Sequence, residues 1–191
     1  MSMEHKSFLF NTSVFTKELS EIILTAAGTE NETLLISFIN ENLDNLKSPY
    51  SGQKLTNEWH EELETEDIQE LADFAITKYY NPNQELGLSF LWESLLELFD
   101  DLDLKYNCEY YILGKSLNYK NFILDPGKMG LGFVNSEHIT DIHRELISLK
   151  EEFADICEAE NFDEKIINAY EDLIMIYQEA KESNCGLLMT F

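Results

Sequence analysis

The chain is poor in basic residues, and arginine is almost missing from it. It holds 13 Lys and Arg side chains against 37 Asp and Glu, which gives a formal net charge of −24, and Arg144 is its only arginine. Such a charge repels phosphate groups and anionic membrane surfaces, so the composition argues against binding to nucleic acid or to a membrane. It favours a basic protein as partner, although acidity also serves solubility alone.

Cysteines and long apolar runs are scarce as well. Cys108, Cys157 and Cys185 lie far apart and form no C-x-x-C pair, which argues against a disulfide scaffold or a structural zinc site and is typical of a reducing compartment. No stretch approaches the ~18 apolar residues of a membrane span, and the N-terminus lacks the apolar length of a signal peptide. We therefore expect a soluble cytoplasmic protein with no cofactor and no metal.

The short motifs of common catalytic and nucleotide-binding sites are also missing. The segment 127–132 looks like a phosphate-binding loop at first sight, but Met129 follows Lys128 where the Walker pattern requires Ser or Thr. The spacings G-x-G-x-x-G and G-x-S-x-G do not occur. No enzyme class is indicated.

The chain does contain enough apolar sequence for a core, since 44% of its residues are hydrophobic and 12% are aromatic. Apolar residues recur at helical spacing over most of it, and short aromatic and apolar runs lie between turn residues. We predict an α+β fold: one helix-rich domain over residues 1–191, with a small, mostly antiparallel sheet packed against long helices. The strands are expected near residues 7–10, 107–113, 119–124, 130–134 and 185–190.

Caps and breakers predict where the helices begin and end. The first is expected to follow Asn11 and to stop near Gly28. Thr29 and Glu32 have the spacing of a capping box and predict the start of the second. The remaining predicted starts are Leu88 for an apolar core helix that carries Trp92, Asn135 or Ser136 for a long helix, and Asn161 for another.

The acidic side chains are unevenly spread along the chain. Residues 58–109 hold 15 acidic and 2 basic side chains, a net charge of −13, and the helical region 30–105 could be an elaboration of the core. The stretch 58–73 is expected to form a solvated helix with one apolar stripe. It could be a partner face or only a solubilising surface. The candidate residues of an acidic partner face are Glu58, Glu61, Glu62, Glu66, Asp67 and Glu70.

One predicted helix carries a polar row beside its core face. His138, Asp141 and Glu145 stand at i, i+3 and i+7 and share a face, an arrangement that a metal or acid–base site could use. It is also typical of the polar flank of an amphipathic helix, and His143 is expected to border the core. The full set of candidate pocket residues is Tyr110, Tyr111, Tyr119, His138, Asp141, His143 and Glu145.

Three segments of the C-terminal half carry a resemblance to a known family. They are Leu-Gly-Lys-Ser-Leu at 113–117, Gly-Leu-Gly-Phe-Val at 130–134 with the helix that follows, and the helix around 171–177 with the closing apolar strand. In these segments the chain resembles the YfbM-like bacterial proteins, a family of unknown function, while residues 30–85 match poorly. The resemblance implies a single α+β domain and supplies no catalytic residues.

Two hypotheses of function follow from these observations. The first is a non-catalytic domain that binds a basic protein through an acidic helical face, as an immunity-like or antitoxin-like protein would. The second is a small hydrolase or small-ligand-binding protein with a pocket between the sheet and the C-terminal helices. A pocket with a perturbed titratable group beside the candidate tyrosines and histidines would favour the second.

Overall fold

The computed structural model describes residues 3–65, 67–124 and 132–191, without the side chain of Tyr119. It is a helix-rich α+β fold, as the sequence predicts. The strands are β1 His5–Phe10, β2 Leu86–Ser89, β3 Leu117–Tyr119, β4 Phe122–Leu124, β5 Phe133–Val134 and β6 Gly186–Thr190. The helices are α1 Thr12–Glu18, α2 Ser20–Thr29, α3 Thr33–Asn42, α4 Ile68–Ile76, α5 Trp92–Phe99, α6 Cys108–Ile112, α7 Ser136–Ser148, α8 Lys150–Ala159 and α9 Glu164–Glu182.

The main sheet has the strand order β2-β1-β6-β5, and its neighbours pair antiparallel. All of β6 pairs with β1, from Lys6 opposite Thr190 to Phe10 opposite Gly186. The predicted strands at 7–10 and 185–190 are thereby confirmed. β3 and β4 form a separate hairpin within the predicted segment 119–124 and just before it.

The central strands of the sheet bury side chains on both faces. Phe8, Phe10 and Leu188 point into one hydrophobic cluster, and Leu187 and Met189 point into another. Because successive strand residues alternate between faces, this near-continuous apolar sequence requires a helical layer on each side. We call α1–α4 the N-terminal layer and α5–α9 the C-terminal layer.

The C-terminal layer is held by aromatic packing. Phe153 of α8 stacks on Tyr170 of α9 with ring centroids 4.1 Å apart, and Phe99 of α5 meets both rings edge-on. Such contacts contribute about 0.5–1.5 kcal/mol each beyond the burial of their area. They fix α5, α8 and α9 against one another.

The predicted strand at 107–113 is wrong, because these residues form α6. The Asn107 side chain accepts a hydrogen bond from the Glu109 amide at 2.8 Å and caps the helix. Helical turns place Tyr111 and Ile112 in the core while Tyr110 stays half-buried. A good N-cap and tertiary burial here override the strand preference of the aromatic run.

The predicted core helix also begins later than expected. Leu88 lies on β2, which pairs with β1, and α5 starts at Trp92. Gly87 permits this pairing, since a Cβ atom there would lie 2.3 Å from the backbone oxygen of His5. The helix was predicted too long because Leu88 happens to continue its apolar spacing.

Several predicted helix boundaries are corrected as well. The helix predicted after Asn11 divides at Leu19, and the helix predicted from Asn135 or Ser136 divides at Leu149. Thr29 ends α2 instead of capping α3. Asp163, not Asn161, caps α9 by accepting a hydrogen bond from the Lys165 amide. In the predicted strand 130–134, Phe133 and Val134 form β5, whereas 130–131 lie outside the described residues.

Candidate functional site

A hydrogen-bonded tyrosine–histidine pair joins α6 to the start of α7. The Tyr110 hydroxyl lies 2.8 Å from His138 Nδ1. The same hydroxyl accepts a hydrogen bond from the Asn135 amide at 3.2 Å. Since the Asn135 amide already donates to the hydroxyl oxygen, we assign the phenolic proton to the bond with His138, which accepts it at Nδ1. The proton of the neutral ring is then on Nε2, which lies 3.6 Å from Glu137 Oε1.

Burial raises the pKa of the Tyr110 hydroxyl above its ordinary value, and the hydrogen bond from Asn135 opposes this shift only in part. The phenol therefore stays protonated at neutral pH and acts as a donor to His138. This is the perturbed titratable group that the second hypothesis requires.

Tyr106 completes a cluster of three rings at this point. Its ring lies over His138 with centroids 5.1 Å apart and planes at 32°. It also meets Tyr110 at 5.5 Å. The rings are packed against one another, so they present a continuous aromatic surface.

Two carboxylates of α7 hold the segment that carries Tyr106. Glu145 Oε1 accepts a hydrogen bond from the Lys105 amide at 2.7 Å, and Asp141 Oδ2 binds Lys105 Nζ at 2.8 Å. The Lys105 ammonium holds the pKa of the Asp141 carboxyl below its usual value through the hydrogen bond and its charge. Asp141 and Glu145 thus fix the backbone and side chain of the residue next to Tyr106.

The buried Tyr111 ties the same segment to the core. Its hydroxyl donates to Glu145 Oε2 at 2.5 Å and accepts from the Tyr106 amide at 3.2 Å. Its carbonyl accepts a hydrogen bond from the Tyr177 hydroxyl at 2.8 Å. Burial, followed by the hydrogen bond to Glu145, raises the pKa of Tyr111. Tyr111 is therefore a positioning residue. Its hydroxyl holds the Tyr106 amide, while Glu145 holds the preceding amide of Lys105.

The aromatic cluster forms one wall of an open cleft of about 390 Å³. This volume lies within the range of small-ligand pockets. Glu109 and Lys115, both exposed, place one charge of each sign on it. The cleft, which we call the Tyr106–His138 cleft, is lined by Tyr106, Asn107, Glu109, Tyr110, Gly114, Lys115, Asn135 and His138.

The predicted polar row is only partly assembled here. His138, Asp141 and Glu145 share a face, but only His138 lines the cleft, and the other two position its neighbour. His143 is 5% exposed and lies 3.5 Å from Lys181 of α9. Burial lowers its pKa, and the charge of Lys181 adds to this. His143 therefore belongs to the α7–α9 contact. The side chain of Tyr119 lies outside the described part of the chain.

Sequence reasoning missed Tyr106, Lys105, Asn135 and Lys115. The first could have been found, because Tyr106 and Tyr110 stand four residues apart on either side of the Asn107 cap. Lys105 and Asn135 reach the site through contacts 36 and 25 residues away in the chain, which no local pattern reveals.

The predicted acidic helix at 58–73 is also corrected. Residues Trp59–Glu62 form a single 3-10 turn, on which Glu61 and Glu62 are exposed, as is the preceding Glu58. α4 begins only after Asp67, whose side chain caps it by accepting a hydrogen bond from the Glu70 amide at 2.8 Å. Glu66 lies outside the described residues.

Glu70 cannot belong to an exposed face, because its side chain is 1% exposed. Its carboxylate accepts hydrogen bonds from the Tyr50 hydroxyl at 2.7 Å, from the Glu64 and Thr65 amides at 2.7 Å each, and from the Thr65 hydroxyl at 3.0 Å. A buried carboxylate with four donors is stabilised as the anion and ties the preceding loop to α4.

A second acidic surface lies on the C-terminal layer. α5 and α8 pack against each other through Phe99 and Phe153, and no Lys or Arg occurs in 79–104 or in 151–164. None of the carboxylates of this surface forms an ion pair within the described residues. The α5–α8 acidic surface consists of the exposed Glu93, Glu97, Asp100, Asp101, Asp103, Glu151, Glu152, Asp155 and Glu158.

Comparison of the chain with protein-family models, with curated proteins and with solved structures gives no match. The resemblance to the YfbM-like proteins therefore stays a prediction. Within residues 3–65, 67–124 and 132–191, no group of three His, Cys, Asp or Glu side chains is arranged to hold a metal ion. No helix in that part of the chain is both long and apolar enough to cross a membrane.

Proposed function

We propose that this protein is a non-catalytic binding domain for a basic protein, and that the Tyr106–His138 cleft receives a cationic side chain of that partner. The observation that carries the proposal is the position of the aromatic cleft directly after the α5–α8 acidic surface. The segment before Tyr106 carries three residues of this surface, Asp100, Asp101 and Asp103. Glu109 lines the cleft itself.

Arginine is the cation that this chemistry suits best. Its planar guanidinium stacks on tyrosine faces and forms charge-assisted hydrogen bonds with carboxylates such as Glu109. The rings of Tyr106 and Tyr110 already pack against each other and against His138, so little side-chain entropy is lost when they are covered. Tyrosine and arginine are also among the residues that contribute most to protein–protein binding energy.

The unpaired charges of the acidic surface would speed the encounter with such a partner. Long-range attraction of a basic protein raises its association rate at low ionic strength. Carboxylates without ion pairs are not already neutralised by neighbouring lysines. Free cysteines at 108, 157 and 185 support the further proposal that the domain acts in the cytoplasm.

A peptide titration tests the role of the cleft. We expect an arginine-rich peptide to bind the full chain, and the same peptide with citrulline in place of arginine to bind at least about tenfold more weakly, since citrulline has lost the charge. Tyr106→Leu should lower the affinity for the arginine-rich peptide by about tenfold or more. Isothermal titration calorimetry at low and at moderate salt measures both effects.

Phe90→Ala is the matched control, because Phe90 is an aromatic residue that is 55% exposed and lies outside the cleft. It should leave the affinity unchanged. Equal binding of the arginine and citrulline peptides, or equal losses in the two variants, would contradict the proposal.

The alternative is a small-ligand-binding protein or hydrolase that uses the same cleft. The volume and the perturbed Tyr110 favour ligand binding. A hydrolytic reaction needs a nucleophile beside the imidazole, whereas the described hydrogen-bond partner of His138 is a phenol that stays protonated. A ligand that binds the cleft without regard to its charge, and with no effect of salt, would favour this alternative.

A further inference from the structure

The strand β2 forms an open edge of the main sheet. It is the last strand in the order β2-β1-β6-β5, and β1 is its one neighbour among the described strands. Outside this pairing, no backbone hydrogen bond among the described residues involves Leu86, Gly87 or Ser89. An edge strand of this kind presents N–H and C=O groups that can pair with a further strand. β2 can therefore accept one more strand.

A groove of about 360 Å³ lies between this edge and α9. Leu86 and Gly87 line it and are only half-buried, so a bound chain can reach the strand. We call this space the β2–α9 groove. Its helical side consists of four residues at i, i+3, i+4 and i+7, which share one face of α9: Asp172, Met175, Ile176 and Glu179.

α9 is the wall that alternate side chains of an added strand would contact. It packs against β2 as part of the C-terminal layer, and a strand added to β2 directs every second side chain towards that layer. These side chains would meet Met175, which is 59% exposed, with Asp172 and Glu179 on either side of it. The groove thus offers apolar and charged contacts to one face of an extended segment.

The charges of the groove determine which kind of segment it suits. Its described lining residues include Glu4, Glu85, Asp172 and Glu179, and no Lys or Arg. Lys6 Nζ lies 3.5 Å from Glu85 Oε2, whereas Asp172 and Glu179 form no ion pair with a described residue. The last two lie about 10 Å apart along α9, from the rise of 1.5 Å per residue. More than one basic side chain can therefore bind along the groove.

We propose that the β2–α9 groove binds an extended segment of a basic protein, which adds to the sheet as a strand beside β2 and directs basic side chains to the carboxylates of α9. Main-chain pairing supplies affinity in this mode of recognition, and alternate side chains supply specificity. A second copy of this chain would bring two acidic grooves together, and their charges would repel.

The groove is independent of the Tyr106–His138 cleft. The cleft lies at the other end of the sheet, where its lining residue Asn135 directly follows β5. Binding at β2 can therefore be tested without regard to the function proposed for the cleft.

Titration with isomeric peptides separates main-chain pairing from attraction by charge alone. The parent peptide has ten residues in which lysine alternates with valine. One isomer carries N-methyl groups on its two central residues, which blocks both edges in the middle of the strand, and the other carries them on its two terminal residues. All three peptides have the same charge. We expect the centrally methylated isomer to bind the full chain at least about tenfold more weakly than the other two.

Charge reversal on α9 tests the role of its carboxylates. Asp172→Lys combined with Glu179→Lys should lower the affinity for the parent peptide by about tenfold or more at low salt. Glu58→Lys combined with Glu61→Lys changes the net charge equally at exposed positions of the N-terminal layer and should change the affinity less than about threefold. Tyr106→Leu should leave it unchanged, which separates this site from the cleft.

NMR spectra of the unaltered protein locate the peptide and do not depend on the folding of any variant. The amide signals of Leu86, Gly87 and Ser89 should shift, while those of Tyr106 and Tyr110 stay in place. The proposal is overturned if the parent peptide does not bind, if the three peptides bind equally, if the shifts lie at Tyr106 and Tyr110, or if both charge reversals weaken binding equally. Self-association of the chain that the parent peptide disrupts would assign the edge to a second copy and would also overturn it.

Discussion

The two helical layers use acidic residues in opposite ways. In the N-terminal layer, Glu70 and Asp73 of α4 are buried, and Glu70 is surrounded by four donors. In the C-terminal layer, acidic residues of α5 such as Glu93 and Glu97 are exposed and form no ion pair with a described residue. Both sets fall within the acidic stretch 58–109. Charge counted along a sequence therefore does not reveal whether a carboxylate stabilises a fold or offers a binding surface.

The difference follows from what stands opposite each carboxylate. Backbone amides and a tyrosine hydroxyl face Glu70, and these donors offset the cost of its burial. Among the described residues, no comparable set of donors faces the exposed acids of α5 and α8, and water solvates them. The first group should thus matter for stability and the second for association. Substitutions in each layer test this difference.

Glu70→Ala should give the largest loss of stability. It leaves the Glu64 and Thr65 amides without their acceptor in a partly buried loop, so we expect the free energy of unfolding to fall by about 2–4 kcal/mol. Urea denaturation measures this change. Glu97→Ala removes an exposed carboxylate from α5 and should stay within about 0.5 kcal/mol. A similar loss in both variants would erase the contrast between the layers.

His5 should make the fold sensitive to acid. It is 1% exposed, its Nε2 lies 2.7 Å from the Ile112 carbonyl, and its Nδ1 accepts from the Leu88 amide. Burial lowers its pKa from 6.5 to about 4, against the opposing effect of the Ile112 hydrogen bond. The unfolded chain therefore takes up the proton first. Stability is fully present above pH 6.5 and is lost as the pH falls towards 4.

The expected loss from His5 reaches about 3 kcal/mol at the acid end of this range. Unfolding free energies of the protein and of His5→Asn are measured from pH 7.5 to 4.5. Their difference separates the effect of His5 from the titration of the carboxylates, which both proteins share. The unfolding free energy of the variant should depend less steeply on pH. Identical slopes would mean that His5 is not held neutral by the fold.

Glu145→Gln should have a smaller effect on stability but a specific effect on the cleft. An amide cannot accept from both Lys105 and Tyr111 as the carboxylate does, so we expect a loss of about 1–3 kcal/mol. Binding of the arginine-rich peptide should weaken as Tyr106 loosens. Glu41→Gln removes the same charge from an exposed position on α3, away from the cleft, and is the control. Unchanged peptide affinity in a folded Glu145→Gln would show that Glu145 does not position the cleft.

Much of the fold could be predicted because local pattern and tertiary environment agree. The apolar runs of β1 and β6 are buried on both faces, and the 3-4 spacing of α7 matches its core face through Ile139, Ile142 and Leu146. The shared face of His138, Asp141 and Glu145 was predicted on the same basis. Where the two disagree, as at Cys108–Ile112, the N-cap and the core determined the structure.

The roles of individual side chains depend on contacts that are distant in sequence. Glu70 and Glu61 look alike in the chain, and only the fold of the loop before α4 buries the first. Tyr106 becomes part of the cleft because α7, more than 30 residues later, supplies Glu145. Hydrogen bonds across such separations leave no periodic pattern.

Charge reversal on the two candidate acidic faces shows which of them attracts the basic partner. One variant carries Glu97→Lys, Asp101→Lys and Asp155→Lys on the α5–α8 acidic surface, and the other carries Glu58→Lys, Glu61→Lys and Glu62→Lys on the 3-10 turn. All six positions are exposed, and both variants change the net charge equally. We expect the first variant to lose more than about tenfold in affinity for the arginine-rich peptide at low salt, and the second variant to lose much less. Equal losses, or a larger loss at 58–62, would contradict this expectation.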